Sequence, residues 1–173
     1  MFELDSSCKM EVQLFRHVRN GGTLVKQLAS VDAALINAHL VPSLLCVQCA
    51  AWKALQDAKH NTLTTRNVHS ELVFNLSPDH AITKSLKMFG VSDTSDAVLV
   101  CVLNGTHEQR DAAFSLVDGE RVGLECLAQI CDVAAVRDVY QITKAEIEVT
   151  ALTDAVINRI SSKISKKVEL VKI

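Results

Sequence analysis

The sequence predicts a single α/β domain in which a small mixed or antiparallel sheet is packed with helices. Three observations carry that prediction. Apolar and polar residues alternate from Met10 to Phe15, and an unbroken apolar run extends from Ala97 to Leu103; both are strand patterns. Elsewhere apolar residues recur every three or four positions, as Ile82, Leu86 and Phe89 do, which is the helical period. Finally, 49% of the 173 residues are hydrophobic and there are only six Gly and two Pro, enough for one substantial core and no long linker.

Met10–Phe15 reads as a half-buried strand, with Met10, Val12 and Leu14 on one face and Glu11 and Gln13 on the other. The Asn20-Gly21-Gly22 turn leads to Thr23, a capping type, before Leu24, Val25 and Leu28 at helical spacing. A loop is expected through Asn37 and His39. Pro42 suits a first helical turn, and the helix after it, running to about Lys59, is apolar on most sides and so expected to be buried. Glu71–Leu76 reads as a short strand. In the sequence Asn75-Leu76-Ser77-Pro78-Asp79, Ser77 is expected to cap the next helix, with Pro78 in its first turn and Asp79 at its positive end. Phe89-Gly90 closes that helix.

Ala97–Leu103 reads as a central strand covered on both faces, followed by an Asn104-Gly105 turn and a helix from Thr106 to Leu116. Leu124, Leu127 and Ile130 form a short amphipathic turn. Asp132 caps a helix bearing Val133, Val136 and Tyr140, and Thr143 with Glu146 makes a capping box. One last helix is expected from about Lys144 to Ser162, with Val149, Leu152, Val156 and Ile160 on one stripe. The domain is assigned to residues 1–162, and 163–173 is expected to be a mobile basic tail.

Composition narrows the function classes. The formal net charge of −2 is unlike that of a protein that binds nucleic acid over its whole surface, so any such contact is local or shared with a partner. Six cysteines, in a chain starting with an acidic, non-signal-like segment, fit a reducing intracellular compartment better than a disulfide framework. No apolar stretch approaches the roughly 20 residues that span a bilayer, so no membrane role is expected.

Motifs for catalysis are weak. Cys46-Val-Gln-Cys49 is a C-x-x-C, but it falls inside a helical stretch without a second pair at zinc-ribbon spacing. Core packing is the plainer reading, and a thiol- or zinc-dependent enzyme using Cys46 and Cys49 is the rival. His69-Ser-Glu71 matches half of a zinc deaminase signature whose other half is missing. No phosphate loop, dinucleotide fingerprint or nucleophile elbow occurs. Neither a metal nor a cofactor is expected. Lys163, Lys166 and Lys167 offer positive charge to phosphates, and a stand-alone RNA-binding protein is a further rival.

The block ELVFNLSPDHAITKSLKMFGV, residues 71–91, resembles the TPRKB family, the PRPK-binding subunit of the KEOPS complex. Asn75, Ser77, Pro78, Phe89 and Gly90 carry the likeness, with Ile82 and Leu86 between them. Similarity extends upstream through Leu35-Ile36-Asn37 and downstream through Leu152 to Arg159. The resemblance implies a non-catalytic subunit that binds the atypical kinase PRPK and through it the other KEOPS subunits. It further implies support for threonylcarbamoyladenosine modification of tRNA, including capture of the CCA end, with a location in cytoplasm and nucleus. It makes Leu152, Val156, Ile157 and Ile160 kinase-contact candidates. Arg66, Lys84 and Lys87, with the three tail lysines, become tRNA-contact candidates. Asn75 and Ser77 also have a structural reading, as helix cap and loop shapers.

Overall fold

A computed structural model describes residues 2–5, 8–28 and 30–163. The strands are β1 (Phe2–Asp5), β2 (Cys8–Arg16), β3 (Ala34–Asn37), β4 (Ala97–Leu103) and β5 (Glu120–Val122). The α-helices are α1 (Gly21–Gln27), α2 (Leu44–Lys59), α3 (Val68–Leu76), α4 (Ile82–Phe89), α5 (His107–Ser115), α6 (Leu127–Ile130), α7 (Val133–Val139), α8 (Lys144–Val149) and α9 (Leu152–Ser162). The strands form one sheet in the order β1-β2-β4-β3, and β5 joins the same edge of β2 further along it. Every pairing is antiparallel.

β4 is central, and all seven of its residues are buried. Alternation sends Leu99, Cys101 and Leu103 to one face and Val98, Val100 and Val102 to the other. The first face is covered by the larger layer, in which α2 packs on both α3 and α9. The second is covered by α1 and α5, through Leu24, Ala113 and Phe114, with Phe15 of β2 beneath them. Each large apolar side chain removed from water contributes about 1.5–3 kcal/mol, so both layers are needed to seal the sheet.

Several local expectations are corrected. Glu71–Leu76 is not a strand but the body of α3. Asn67 caps that helix, its side chain accepting from Ser70 N at 2.8 Å. From Glu71 to Leu76 every residue is buried, because α3 lies between α2, α4 and the sheet, and a helix buried on all sides shows no period. The segment expected to loop through Asn37 contains β3, followed by a 3₁₀ turn at Ala38–Leu40.

Three helix starts also move. Ser77 terminates α3 instead of opening α4: its hydroxyl accepts from Asp79 N and the Asp79 carboxylate accepts from Ala81 N, so both capping side chains fold the turn that holds Pro78. α4 then starts at Ile82 with no side-chain cap. Helix α1 begins at Gly21, ahead of Thr23, and Asn20 spends its amide on Leu116 O and Asp118 N, tying α1 to the end of α5. The cap of α2 is Ser43, which accepts from Leu45 N; Pro42 precedes it.

The expected long terminal helix is two helices. Thr150 is extended (φ −138°, ψ 136°), and α8 and α9 meet there. Glu146 does not close a capping box with Thr143, because its carboxylate receives both terminal nitrogens of Arg159, at 2.5 and 2.8 Å, from across the break. Val149, expected on the buried stripe, is 84% exposed. Gly90 ends α4 as expected, with an extended backbone: a Cβ there would stand 2.4 Å from Leu86 O.

Candidate interaction surfaces

The four kinase-contact candidates divide in two. Val156 is 0% and Ile160 1% exposed, and both belong to the domain's own core. Leu152 and Ile157 are half-buried and pack at its margin. Helix α2, expected to be largely buried, has an outer face. Leu45 is 51% and Trp52 49% exposed, two turns apart, on the side opposite the buried Cys46, Val47, Ala50 and Ala54. A large apolar pair at i and i+7 is the sequence signal that could have marked this face, but it is hidden in a segment that is apolar on most sides.

The 163-and-onward tail reading is corrected at its first residue. Lys163 is 5% exposed. Its Nζ donates to Phe74 O at 2.6 Å and Ser77 O at 2.9 Å, and lies 3.3 Å from the centroid of the Phe74 ring. All three N–H groups thus have a partner, and the ammonium sits at the negative end of α3. Burial pushes its pKa down to about 7; Glu71 and Asp79 oppose that shift and Lys53 reinforces it. Lys163 therefore offers no charge to a phosphate outside. Lys166 and Lys167 lie outside the described residues.

Asn75 is an interior residue. It donates to Ala50 O at 3.4 Å, joining α3 to α2, and does not cap a helix. Phe89 meets Tyr140 edge to face with centroids 5.8 Å apart, and the Tyr140 hydroxyl donates to Leu76 O. Around this junction Ser77, Pro78, Asp79, Lys84, Tyr140 and Arg159 line a cleft of about 410 Å³. Its charges are largely committed: Lys84 meets Asp79 at 2.6 Å, and Arg159 holds Glu146 and donates to Tyr140 O at 2.9 Å.

The three remaining tRNA-contact candidates, Arg66, Lys84 and Lys87, are all exposed. Arg66 follows a turn fixed by Glu71, whose Oε2 accepts from Thr64 N, Thr65 N and Thr65 Oγ1 at 2.6–3.0 Å. Arg66 adjoins Asn67, and Lys87 adjoins Leu86; Asn67 and Leu86 line an apolar cavity of about 130 Å³ between β3, α3 and α4. A shallower groove of about 360 Å³ continues past Leu28 and Leu86 to Lys87. Lys87 lines that groove, while Lys84 lines the Ser77 cleft.

The remaining chemistry is structural. Cys46 and Cys49 lie within α2; burial pushes the Cys46 thiol up to about 12 and raises Cys49 as well. A thiol so shifted is neither a nucleophile nor a ready metal ligand at neutral pH. His69 and Glu71 are on α3, not at a strand entry. His69 Nε2 accepts from Leu103 N at 3.1 Å, and burial lowers its pKa despite Asp32 nearby. Among the described residues, no group of three or more His, Cys, Asp or Glu is placed to hold a metal ion.

A family model described as kinase binding protein CGI-121 matches residues 15–164. The EKC/KEOPS complex subunit TPRKB of Danio rerio is 32% identical over 154 residues, covering 87% of this chain and 88% of that protein. The EKC/KEOPS complex subunit cgi121 of Aspergillus terreus is 35% identical over 144 residues, 77% of this chain and 74% of the relative. Its namesake from Aspergillus fumigatus is 31% identical over 150 residues, 80% and 79% of the two chains.

Proposed function

Because this chain belongs to the CGI-121 family of kinase-binding proteins, we propose that it is a non-catalytic subunit of a KEOPS complex that docks the atypical kinase PRPK. The observation that carries this reading is the family match over nearly the whole folded domain, joined to an uncovered apolar face. Leu45 and Trp52 of α2, with Leu152 and Ile157 of the adjoining α9, form the docking surface; Val156 and Ile160 support it from within. Tryptophan is a frequent anchor of interfaces because its large area leaves water at small entropic cost. The buried Cys46 thiol and the half-buried Cys49, both with raised pKa, weigh against the Cys46–Cys49 enzyme.

The complex supports threonylcarbamoyladenosine modification of tRNA, and this subunit adds local positive charge to it. Exposed Arg66, and Lys87 from the groove at Leu28 and Leu86, contact phosphate, with Lys84, Lys166 and Lys167 as secondary candidates. Such contacts give modest affinity that falls with salt and grows when other tRNA-binding subunits are linked to this one. Its place of work is cytoplasm and nucleus, which a fluorescent fusion checks.

The deciding experiment is capture of purified PRPK by the wild-type chain and by Trp52→Arg and Ile157→Arg, with thermal melts of each. Both variants should melt near the wild type and lose at least tenfold in affinity. Full capture by both folded variants would remove α2 and α9 from the interface. Tight tRNA binding by the isolated chain at physiological salt would instead favour the stand-alone RNA-binding reading.

A further inference from the structure

His39 stands at a junction of three segments. It lies in the 3₁₀ turn after β3; its Nδ1 is 2.8 Å from Ile130 O at the end of α6, and its Nε2 is 2.6 Å from Asp96 Oδ1 just before β4. Its backbone carbonyl accepts from Asp132 N at 2.9 Å, and Asp132 is the cap of α7. Both partners of the ring are acceptors: a carbonyl oxygen has no proton to give, and a carboxylate has none when ionised. A neutral imidazole carries one N–H and faces its second partner with a lone pair. Only the imidazolium makes both bonds.

We propose that His39 is a proton-operated clasp: protonated, its ring bonds both the end of α6, at Ile130 O, and the turn before β4, at Asp96, and on losing its proton it gives up one of these two bonds, while the backbone bond from Asp132 N to His39 O remains. The charged groups acting on it are Asp96, from the turn before β4, and Asp132, from the start of α7; His17, at the end of β2, acts in turn on Asp96. Burial works against the charged ring, but the bonds to Asp96 and Ile130 O and the nearby Asp132 outweigh it, and the pKa of His39 stands above 6.5. The sign follows. A folded pKa above the unfolded one means the clasp is fully closed below pH 6.5 and opens as pH rises through the folded value. The α6–α7 junction is therefore held less firmly as pH rises through the folded pKa of His39.

The test is a pH titration of the uniformly ¹⁵N-labelled full chain, read at the two imidazole nitrogens and at the backbone amides of Cys131 to Ala135. The expected result is two protonated ring nitrogens at about pH 6, a midpoint above 6.5, and amide shifts from Cys131 to Ala135 with the same midpoint. Asp96→Asn should lower that midpoint by about one pH unit, since it removes the opposing charge and keeps the shape. A ring with one unprotonated nitrogen at about pH 6, or amides that do not follow the ring, overturns the proposal. The wild-type titration decides the matter even if the variant fails to fold.

Discussion

Replacing Lys163 with methionine tests the buried ammonium directly. An ordinary lysine has a pKa of 10.5, and here it is lowered to about 7. Above pH 10.5 the amine is neutral in both native and unfolded chains. Between 10.5 and 7 the unfolded chain takes up a proton that the native one refuses, so native stability falls as pH falls. Below 7 both forms are protonated and the difference stays constant. At about 1.4 kcal/mol per pH unit, the fall is at most about 5 kcal/mol. Methionine has nearly the same length, carries no charge and cannot donate. It leaves Phe74 O and Ser77 O without their donor, at about 1–3 kcal/mol each. The Lys163→Met variant should therefore be less stable than wild type by about 2–6 kcal/mol near pH 10, and the gap should shrink or reverse toward about pH 6.5, where the wild type carries its buried charge. Urea denaturation followed by far-ultraviolet circular dichroism at half-unit pH steps measures this. Other titrating groups are common to both proteins and cancel in the difference. Parallel pH profiles, with a constant gap from about 6.5 to 10, would refute the assignment of the pH dependence to Lys163.

Glu71→Gln should push the Lys163 midpoint lower still, because Glu71 is the strongest influence favouring the ammonium; the same pH series reads it. Gly90→Ala should cost about 1–3 kcal/mol, since its Cβ would strike Leu86 O; a thermal melt checks this. Arg159→Ala removes the bonds to Glu146 of α8 and to Tyr140 O at the end of α7 that anchor α9, and should destabilise by about 1–3 kcal/mol and speed proteolysis near Thr150. Cys46 and Cys101, both buried and with raised pKa values, should resist a thiol reagent in native buffer and react after unfolding, as mass spectrometry of the labelled peptides will show.

Patterns that depend on near neighbours were legible. The apolar run at 97–103 is the central strand, Asp132 and Thr143 cap the helices assigned to them, and Gly90 ends α4. Misreading set in where burial erased the period or where a side chain found a distant partner. Glu71–Leu76 has the pattern of a strand because no face of α3 reaches water. Asn20, Ser77 and Glu146 have capping chemistry, yet Leu116, the turn at Asp79 and Arg159 claim them instead. Which residues of α9 are exposed was not legible. A pattern of apolar residues along α9 names the helix, but whether Val156 or Ile157 faces outward depends on what packs beside it.

By itself the sequence determined the fold class, the central strand and, through the 71–91 block, the family. These rest on hydrophobic periodicity and short-range motifs, which act over a few residues of chain. Only the tertiary structure decided that Trp52 is exposed while Val156 is not, and that Lys163 is a buried strut beneath α3. Burial of a side chain and the pKa of an amine are set by atoms far away in sequence: Phe74 and Ser77 are more than eighty residues from the ammonium they hold.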